Sequence, residues 1–162
     1  MKVRQASPGD LPELVRMFQE LDRMQRDWRV FTPRPGFYDE VADKYRRAMG
    51  HPDALVMVAE DDGEVVGMGY AEVRVPSRFS DERALELSGV MVRSDHRGRG
   101  VGRALVQEAA RFAEERSVGW IELKTFVPNE ETMGFWRALG FHPRVVQLTA
   151  PSAVAARRAA GQ

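Results

Sequence analysis

The sequence contains no cysteine among its 162 residues. Disulfides, thiolate zinc sites, iron–sulfur clusters and cysteine nucleophiles are therefore excluded. No run of residues approaches the roughly 18 apolar residues that a membrane-spanning helix requires. Residues 1–6 lead into polar sequence without the apolar stretch of a signal peptide. We therefore expect a cytoplasmic protein, and we predict neither a membrane partner nor a metal site.

The chain also lacks an excess of charge of either sign. Lys and Arg number 24, Asp and Glu number 24, and the formal net charge is +0. This balance argues against a global electrostatic attraction to nucleic acid, so we predict no nucleic-acid partner. The length suits one domain. We expect it over residues 1–150, followed by a frayed tail over 151–162 that is rich in Ala and Arg.

Hydrophobic periodicity predicts a mixed order of strands and helices. A run of strands followed by a helical crossover favours an α/β or α+β sandwich. The crossover helix should make the fourth and fifth strands parallel. The predicted elements are a strand over 2–5, a helix over 8–21, a loop over 22–36, a helix over 37–49, strands over 55–60, 64–75 and 84–93, a helix over 100–117, a strand over 120–126, a helix over 130–139 and a strand over 144–149.

The most informative stretch is a glycine-rich turn that follows a predicted strand and opens a helix. It reads Arg97-Gly98-Arg99-Gly100-Val101-Gly102-Arg103. Glycines let the backbone approach a ligand closely, and the free N–H groups of a helix start favour a phosphate or pyrophosphate. The three arginines add positive charge at the same place. The pattern therefore predicts an anion-binding turn.

Two common phosphate-binding motifs do not fit this turn. A P-loop needs Gly-Lys followed by Ser or Thr, and the sequence contains no Gly-Lys. A Rossmann fingerprint needs Gly or Ala at position 103, which is Arg103. The turn also lies past the middle of the chain rather than after the first strand. Both alternatives are therefore disfavoured.

The remaining pattern, Arg-x-x-Gly-x-Gly at Arg97, Gly100 and Gly102, resembles motif A of the GNAT superfamily of N-acetyltransferases. The resemblance continues through Asn129 and through residues 135–141, Phe-Trp-Arg-Ala-Leu-Gly-Phe, which are similar to motif B. It implies a mixed, mostly antiparallel twisted sheet with a splayed parallel pair of fourth and fifth strands and helices on both faces. It also implies transfer of the acetyl group of acetyl-CoA to a primary amine.

Similar proteins hold acetyl-CoA between the splayed strands. The resemblance implies that the pantetheine arm pairs with the strand before the turn, that the pyrophosphate binds the turn and that Asn129 steadies the arm. The implied cofactor contacts are Val90, Met91, Val92, Arg97, Gly98, Arg99, Gly100, Val101, Gly102, Arg103, Asn129 and Trp136.

The reaction needs a base, because an amine with a pKa of about 10.4 costs about 4.6 kcal/mol to deprotonate at pH 7. Glu86 precedes Arg97 by eleven residues, which resembles the spacing of the base in the histone-modifying branch of the family. Strand alternation places Glu86 on the face of Ser88, Val90 and Val92. We favour Glu86 as the base, with an ordinary solvated glutamate as the alternative.

A second carboxylate, Glu72 on the third strand, shares a face with Met68 and Tyr70 and is the other candidate base. An ordinary solvated role is equally open for it. The developing oxyanion needs a hydrogen-bond donor, and the strand amide near Val92 is the natural candidate.

Trp136 departs from the family pattern, in which many relatives carry a tyrosine that protonates the leaving thiolate. Indole is not a proton source. A thiol with a pKa of about 8.5 is a fair leaving group, so water, another residue or unassisted departure can complete the step. Trp136 favours one alternative, a CoA-binding sensor or interaction module that has lost catalysis. An acyltransferase that uses a longer acyl group is a separate alternative.

The acceptor is left open as a small-molecule amine or a peptide or protein amine. Trp28, Phe31 and Phe37 are candidates for lining its pocket, although a surface loop anchored by aromatic residues explains them equally well. We interpret His96 as a solvated loop residue, with stacking near the adenine of the cofactor as the alternative. A homodimer is also considered, because dimers are common among similar proteins.

Overall fold

The computed structural model describes residues 1–28, 32–74 and 81–161. Phe31 and residue 75, at the end of the strand predicted over 64–75, lie outside the described residues. The chain divides into two units, Met1–Pro128 and Asn129–Gln162. The elements are β1 (Lys2–Gln5), α1 (Leu11–Met24), α2 (Phe37–Ala48), β2 (Ala54–Asp61), β3 (Glu64–Arg74), β4 (Ala84–Val92), α3 (Val101–Glu115), β5 (Trp120–Leu123), α4 (Glu130–Ala138) and α5 (Ser152–Ala159), with 3-10 turns at Pro8–Asp10, Arg26–Trp28 and Ser94–His96.

The strands form one five-stranded sheet in the order β1-β2-β3-β4-β5. β1 to β4 pair antiparallel, and β5 joins β4 in parallel after the α3 crossover. The β2–β3 hairpin turns at Asp62 and Gly63, which have φ of 49° and 82°. The predicted mixed and mostly antiparallel sheet with a parallel fourth and fifth strand is confirmed.

Helices cover both faces of the sheet. α3 lies close to one face because Gly67 has no side chain: a Cβ there would be 2.9 Å from Val101 Cγ1 and 3.2 Å from Leu105 Cδ1. α1 and α2 pack on the other face, and with it they form a buried cluster. Its members include Leu14, Met17, Val41, Tyr45, Val56, Val58, Met68, Tyr70 and Met91. Among the described residues, no helix is both long and apolar enough to cross a membrane.

Several predicted boundaries are wrong. α1 continues to Met24 rather than ending at Leu21, because Asp22 is buried on it and accepts a hydrogen bond of 2.9 Å from Tyr38 Oη. β5 ends at Leu123, not at residue 126. Its predicted continuation over 124–126 carries no strand, since parallel pairing with β4 stops at Leu123.

The second unit also differs from expectation. The strand predicted over 144–149 is absent: Val145 is 89% and Leu148 is 88% exposed, and no described strand pairs with this segment. Apolar periodicity makes a strand only where a neighbour accepts its backbone hydrogen bonds. The tail that we expected to be frayed instead forms α5, which agrees with the high helix propensity of Ala and Arg.

Candidate active site

β4 has different neighbours along its length. Residues 84–87, which we call the closed half, pair with β3 on one side and with Trp120–Leu123 of β5 on the other. Residues 88–92, the open half, pair with β3 but with no second strand among those described. The predicted splaying of the fourth and fifth strands is therefore confirmed, and it leaves a free backbone edge.

The open half begins with a β-bulge at Gly89. Tyr70 faces Ser88 and Met68 faces Met91, so two steps along β3 correspond to three along β4. Gly89 absorbs the extra residue with a φ of +60°. Glycine suits this position because L-residues with side chains are strained in the left-handed region. The bulge marks the end of the open half that lies next to β5.

The bulge changes which side chains share a face. Met91 lies in the buried cluster under α1 and α2, on the face that Ser88 occupies before the bulge. Alternation from Met91 then turns Val90 and Val92 to the opposite face. The prediction that Glu86, Ser88, Val90 and Val92 share one face is therefore wrong beyond Gly89, because the ladder is interrupted there.

After β4 the chain makes the predicted glycine turn into α3. Gly98 and Gly100 have φ of +71° and +84°, whereas Gly102 lies within the helix. Gly100 is the N-cap residue, no side chain caps this end, and the first turn contains no acidic residue. The first N–H groups of α3 therefore lack a side-chain acceptor, an arrangement that favours an anionic ligand.

Three exposed arginines surround this turn: Arg97, Arg99 and Arg103. Unlike Arg93, which binds two carboxylates, none of them forms an ion pair within the described part of the chain. Arg97 is oriented by its Nε, which donates to the carbonyl oxygen of Val92 at 3.2 Å. Their positive charge is therefore available to an anion at the helix start.

Three glutamates form a row across the sheet. The register places Glu72 of β3 opposite Glu86 of β4, and Glu86 opposite Glu122 of β5. The two candidate bases are thus direct neighbours, as their common site requires. Sequence reasoning missed Glu122 because no local pattern reveals the register of a parallel pair. In the described ranges, no group of metal-ligating side chains is arranged to hold a metal ion.

The two candidate bases have different partners. The side chain of Glu86 is 28% exposed and lies 3.0 Å from Arg74 Nη1 and 3.6 Å from Lys124 Nζ. Glu72 instead accepts a hydrogen bond of 2.7 Å from Tyr70 Oη. Two cations therefore balance the charge of Glu86, whereas a neutral hydroxyl group solvates Glu72.

A tyrosine of α2 also reaches the bulge. Tyr45 is 3% exposed, and its Oη lies 3.2 Å from the position that a Cβ of Gly89 would occupy. Its ring packs against Tyr70 with a centroid distance of 5.8 Å. Burial raises the pKa of the Tyr45 hydroxyl well above its usual value. Sequence reasoning missed Tyr45, because its spacing from Val41 and Ala48 is that of an ordinary core residue.

The second unit holds Asn129 and Trp136. Asn129 caps α4, with its Oδ1 accepting a hydrogen bond of 3.2 Å from the Thr132 N–H. Trp136 is 8% exposed and packs edge-on against Phe135 and Phe141, with centroid distances of 4.8 and 5.4 Å. Local structure thus accounts for both residues, and their contact with a cofactor stays a prediction.

The remaining residues singled out in the sequence, the two aromatic residues Trp28 and Phe37 and the turn residue His96, have different surroundings. Trp28 lies 6.3 Å from Phe126 between ring centroids, and Phe37 lies 6.1 Å from Phe18. These contacts fit aromatic anchors. The side chain of His96 is only 16% exposed and its Nδ1 lies 2.9 Å from a carboxylate oxygen of the preceding residue. The interpretation of His96 as a solvated loop residue is therefore wrong for its side chain, and its stacking near the adenine stays a prediction.

Comparison with known proteins gives consistent matches. Residues 18–141 match the model of the acetyltransferase (GNAT) family. A protein of Archaeoglobus fulgidus described as an uncharacterized N-acetyltransferase is 30% identical over 117 residues, which are 72% of this chain and 76% of that protein. Human N-acetyltransferase 8B is 34% identical over 103 residues, 63% of this chain and 44% of that protein.

The fold is shared with solved structures. A structure from Clostridium acetobutylicum, described as a predicted acetyltransferase with acetyl-CoA, matches with a TM-score of 0.72 at 16% identity. The match covers 93% of this chain and 95% of that one. The chain spans less than half the length of the human and rat N-acetyltransferase 8 relatives that it matches.

Proposed function

The chain belongs to the acetyltransferase (GNAT) family and is thus an acetyl-CoA-dependent acyltransferase, and we propose that it transfers the acetyl group to a primary amine by direct attack in a ternary complex. One observation carries the proposal. The free edge of the open half leads into a glycine-rich helix start that has no side-chain cap, and none of its three arginines forms an ion pair among the described residues. A small-molecule amine and a peptide or protein amine are both acceptors of this chemistry.

The open half and the start of α3 fit the two ends of the CoA chain. The first N–H groups of α3, with Arg97, Arg99 and Arg103, suit the pyrophosphate. The unpaired edge of residues 88–92 suits the amides of the pantetheine arm, as it would suit an added strand. When bound, acetyl-CoA supplies the activated acetyl group; the protein supplies binding, orientation and a base.

The closed half limits how far the pantetheine arm can extend. An arm that starts at the α3 end of the open half runs along β4 towards Ser88. It can go no further as an added strand, because β5 occupies the edge where Leu123 faces Leu87. We therefore place the thioester beside the bulge at Gly89, next to the glutamate row.

The backbone of the open half offers donors along this path. The Arg93 N–H donates to the Val66 carbonyl at 2.9 Å, so alternation turns the N–H group of Val92 towards the free edge. Val90, within the bulge, has no partner residue on β3. Because Val90 is nearer the bulge, we assign its amide to the thioester carbonyl oxygen and that of Val92 to the pantetheine arm. This assignment revises the expectation that Val92 donates to the oxyanion.

The proposed reaction needs only one base. The carboxylate takes one proton from the ammonium form of the acceptor, and the freed amine nitrogen forms a bond to the acetyl carbon. As the carbon–sulfur bond breaks, the nitrogen releases a second proton, which water passes to the departing thiolate. Glu86 remains the favoured base, because it lies on β4 itself, two residues before Ser88. Glu72 is the second candidate, since it faces Glu86 on β3.

Neighbouring glutamine variants test the assignment of the base. General-base catalysis contributes about 10²–10⁴-fold, so Glu86→Gln should lower kcat by about this factor and leave acetyl-CoA affinity nearly unchanged. Glu72→Gln is the matched control on the facing strand. Thiol release measured with a panel of amines and peptides gives kcat, and calorimetry gives affinity. A larger loss in Glu72→Gln would move the role to Glu72, and full activity in both variants would contradict a carboxylate base.

A second candidate function, a CoA-binding sensor or interaction module, is favoured by Trp136. Its indole stands where many relatives carry a tyrosine acid, and it packs within its own unit. One measurement distinguishes the two functions. An active enzyme releases thiol above the hydrolytic background with at least one amine in the panel, whereas a sensor does not. Propionyl-CoA and succinyl-CoA in the same assay test the alternative of a longer acyl group.

A further inference from the structure

Tyr45 has a buried hydroxyl with no partner among the described residues. The other two tyrosine hydroxyls are bonded, Tyr70 to Glu72 at 2.7 Å and Tyr38 to Asp22 at 2.9 Å. Tyr45 is 3% exposed, yet no hydrogen bond to its Oη is found, and burial alone shifts its pKa. Burying an unbonded hydroxyl costs free energy. The partner of this hydroxyl is therefore expected outside the chain, as water in the free protein and as a ligand in the bound state.

The position of this hydroxyl indicates what that group is. Oη lies 3.2 Å from where a Cβ of Gly89 would stand, so the absent side chain leaves room beside it. It is not among the fully enclosed unbonded oxygens, and it therefore keeps some contact with solvent. The bulge at Gly89 is also the end of the open half where the proposed function places the thioester. The Val90 amide lies one residue further along the same strand.

We propose that Tyr45 is a further catalytic residue, whose hydroxyl donates a hydrogen bond to the thioester carbonyl oxygen of bound acetyl-CoA. This inference rests on the proposed function. Tyr45 and the Val90 amide together form the donor pair for that oxygen. The hydrogen bond strengthens as the oxygen gains negative charge while the nitrogen–carbon bond forms. No proton leaves Tyr45 when the carbon–sulfur bond breaks.

The environment of Tyr45 favours a donor over a general acid. Burial raises the pKa of its hydroxyl above the usual value near 10. A thiol has a pKa of about 8.5, so proton transfer from this phenol to the departing thiolate is unfavourable. Tyr45 therefore does not replace the acid that is missing at Trp136. It stays protonated and can donate throughout the reaction.

Tyr45→Phe removes the hydroxyl alone and tests the proposal with three readouts. Loss of one oxyanion donor lowers kcat by about 100-fold or more. The infrared carbonyl stretch of bound, carbonyl-labelled acetyl-CoA should move to higher wavenumber, because the carbonyl loses a hydrogen bond. The Tm should stay equal or rise, because no protein hydrogen bond is lost. A purely structural tyrosine would instead lose Tm and activity together, with an unmoved carbonyl stretch.

Tyr38→Phe is the matched control, since it removes a hydroxyl from the same helix. It should lower the Tm, because Asp22 loses a donor, and should leave the carbonyl stretch in place. An unmoved carbonyl stretch and undiminished kcat in Tyr45→Phe would overturn the inference while the proposed function stands. Failure of the unsubstituted protein to bind acetyl-CoA would overturn both.

Discussion

The two halves of β4 differ in what satisfies their backbone groups. In residues 84–87 the flanking strands β3 and β5 take both sides of the ladder, and Leu85 and Leu87 are 0% and 1% exposed. In residues 88–92 no described strand pairs with the second side, Arg97 Nε donates to the Val92 carbonyl oxygen, and the strand starts with a bulge. A buried strand needs partners for every N–H and C=O group. The closed half therefore finds its partners within the fold, and we infer that the open half finds them in a ligand.

The largest expected effect is a loss of stability caused by a substitution in the closed half. Leu85→Ala should lower the free energy of unfolding by about 2–5 kcal/mol, because it leaves a cavity in a fully buried part of the sheet. Urea denaturation measures this loss, and calorimetry at low temperature measures acetyl-CoA affinity in the folded variant. Nearly unchanged affinity would agree with the division between the halves. A variant that stays stable but no longer binds would contradict it.

A smaller effect is expected at the glycine turn, where a matched pair of alanine variants distinguishes backbone strain from loss of acetyl-CoA binding. Gly100 and Gly36 are N-cap residues of α3 and α2, with φ of +84° and +79°, and a Cβ at either would meet nothing within 4 Å. Alanine at each should cost about 1–2 kcal/mol of stability, because both are left-handed.

The matched pair should differ in acetyl-CoA affinity. Only Gly100→Ala should weaken binding, because its Cβ intrudes where the pyrophosphate is proposed to lie. Thermal unfolding and calorimetry of both variants provide the comparison. Equal affinity in Gly100→Ala and Gly36→Ala would count against the turn as the pyrophosphate site.

The smallest effect concerns charge on α3. Arg103→Gln should weaken acetyl-CoA binding by about 1 kcal/mol or less, and the difference should shrink at high salt because the side chain is exposed. Arg111→Gln is the control, since Arg111 lies on the same helix but binds Glu108 at 2.5 Å. Equal affinities of the two variants at low salt would remove Arg103 from the site.

Local patterns predicted the part of the site that depends on neighbouring residues. Glycines and arginines at a helix start favour anion binding in any fold, so the turn around Gly98 and Gly100 could be predicted from the sequence. The order of elements likewise predicted the parallel crossover. The bulge was not predictable, because one glycine in a strand indicates a bulge or a close approach equally well. The prediction that Val90 and Val92 share a face with Glu86 was wrong for this reason.

Long-range placement was the other limit. The row of Glu72, Glu86 and Glu122 depends on the register of three strands, and the approach of Tyr45 to Gly89 depends on how α2 packs on the sheet. Neither relation leaves a local mark in one sequence. The prediction of a strand over 144–149 was wrong for the same reason, because pairing with a distant segment decides whether an extended stretch becomes a strand.

Calorimetric titration with acetyl-CoA tests the central claim most directly, with NADH and ATP as controls. All three ligands carry adenine and phosphates, but only acetyl-CoA has a pantetheine arm for the free edge of the open half. We expect saturable binding of acetyl-CoA at one site per chain and much weaker binding of NADH and ATP. Absence of acetyl-CoA binding in protein shown to be folded, or equal binding of all three ligands, would contradict it.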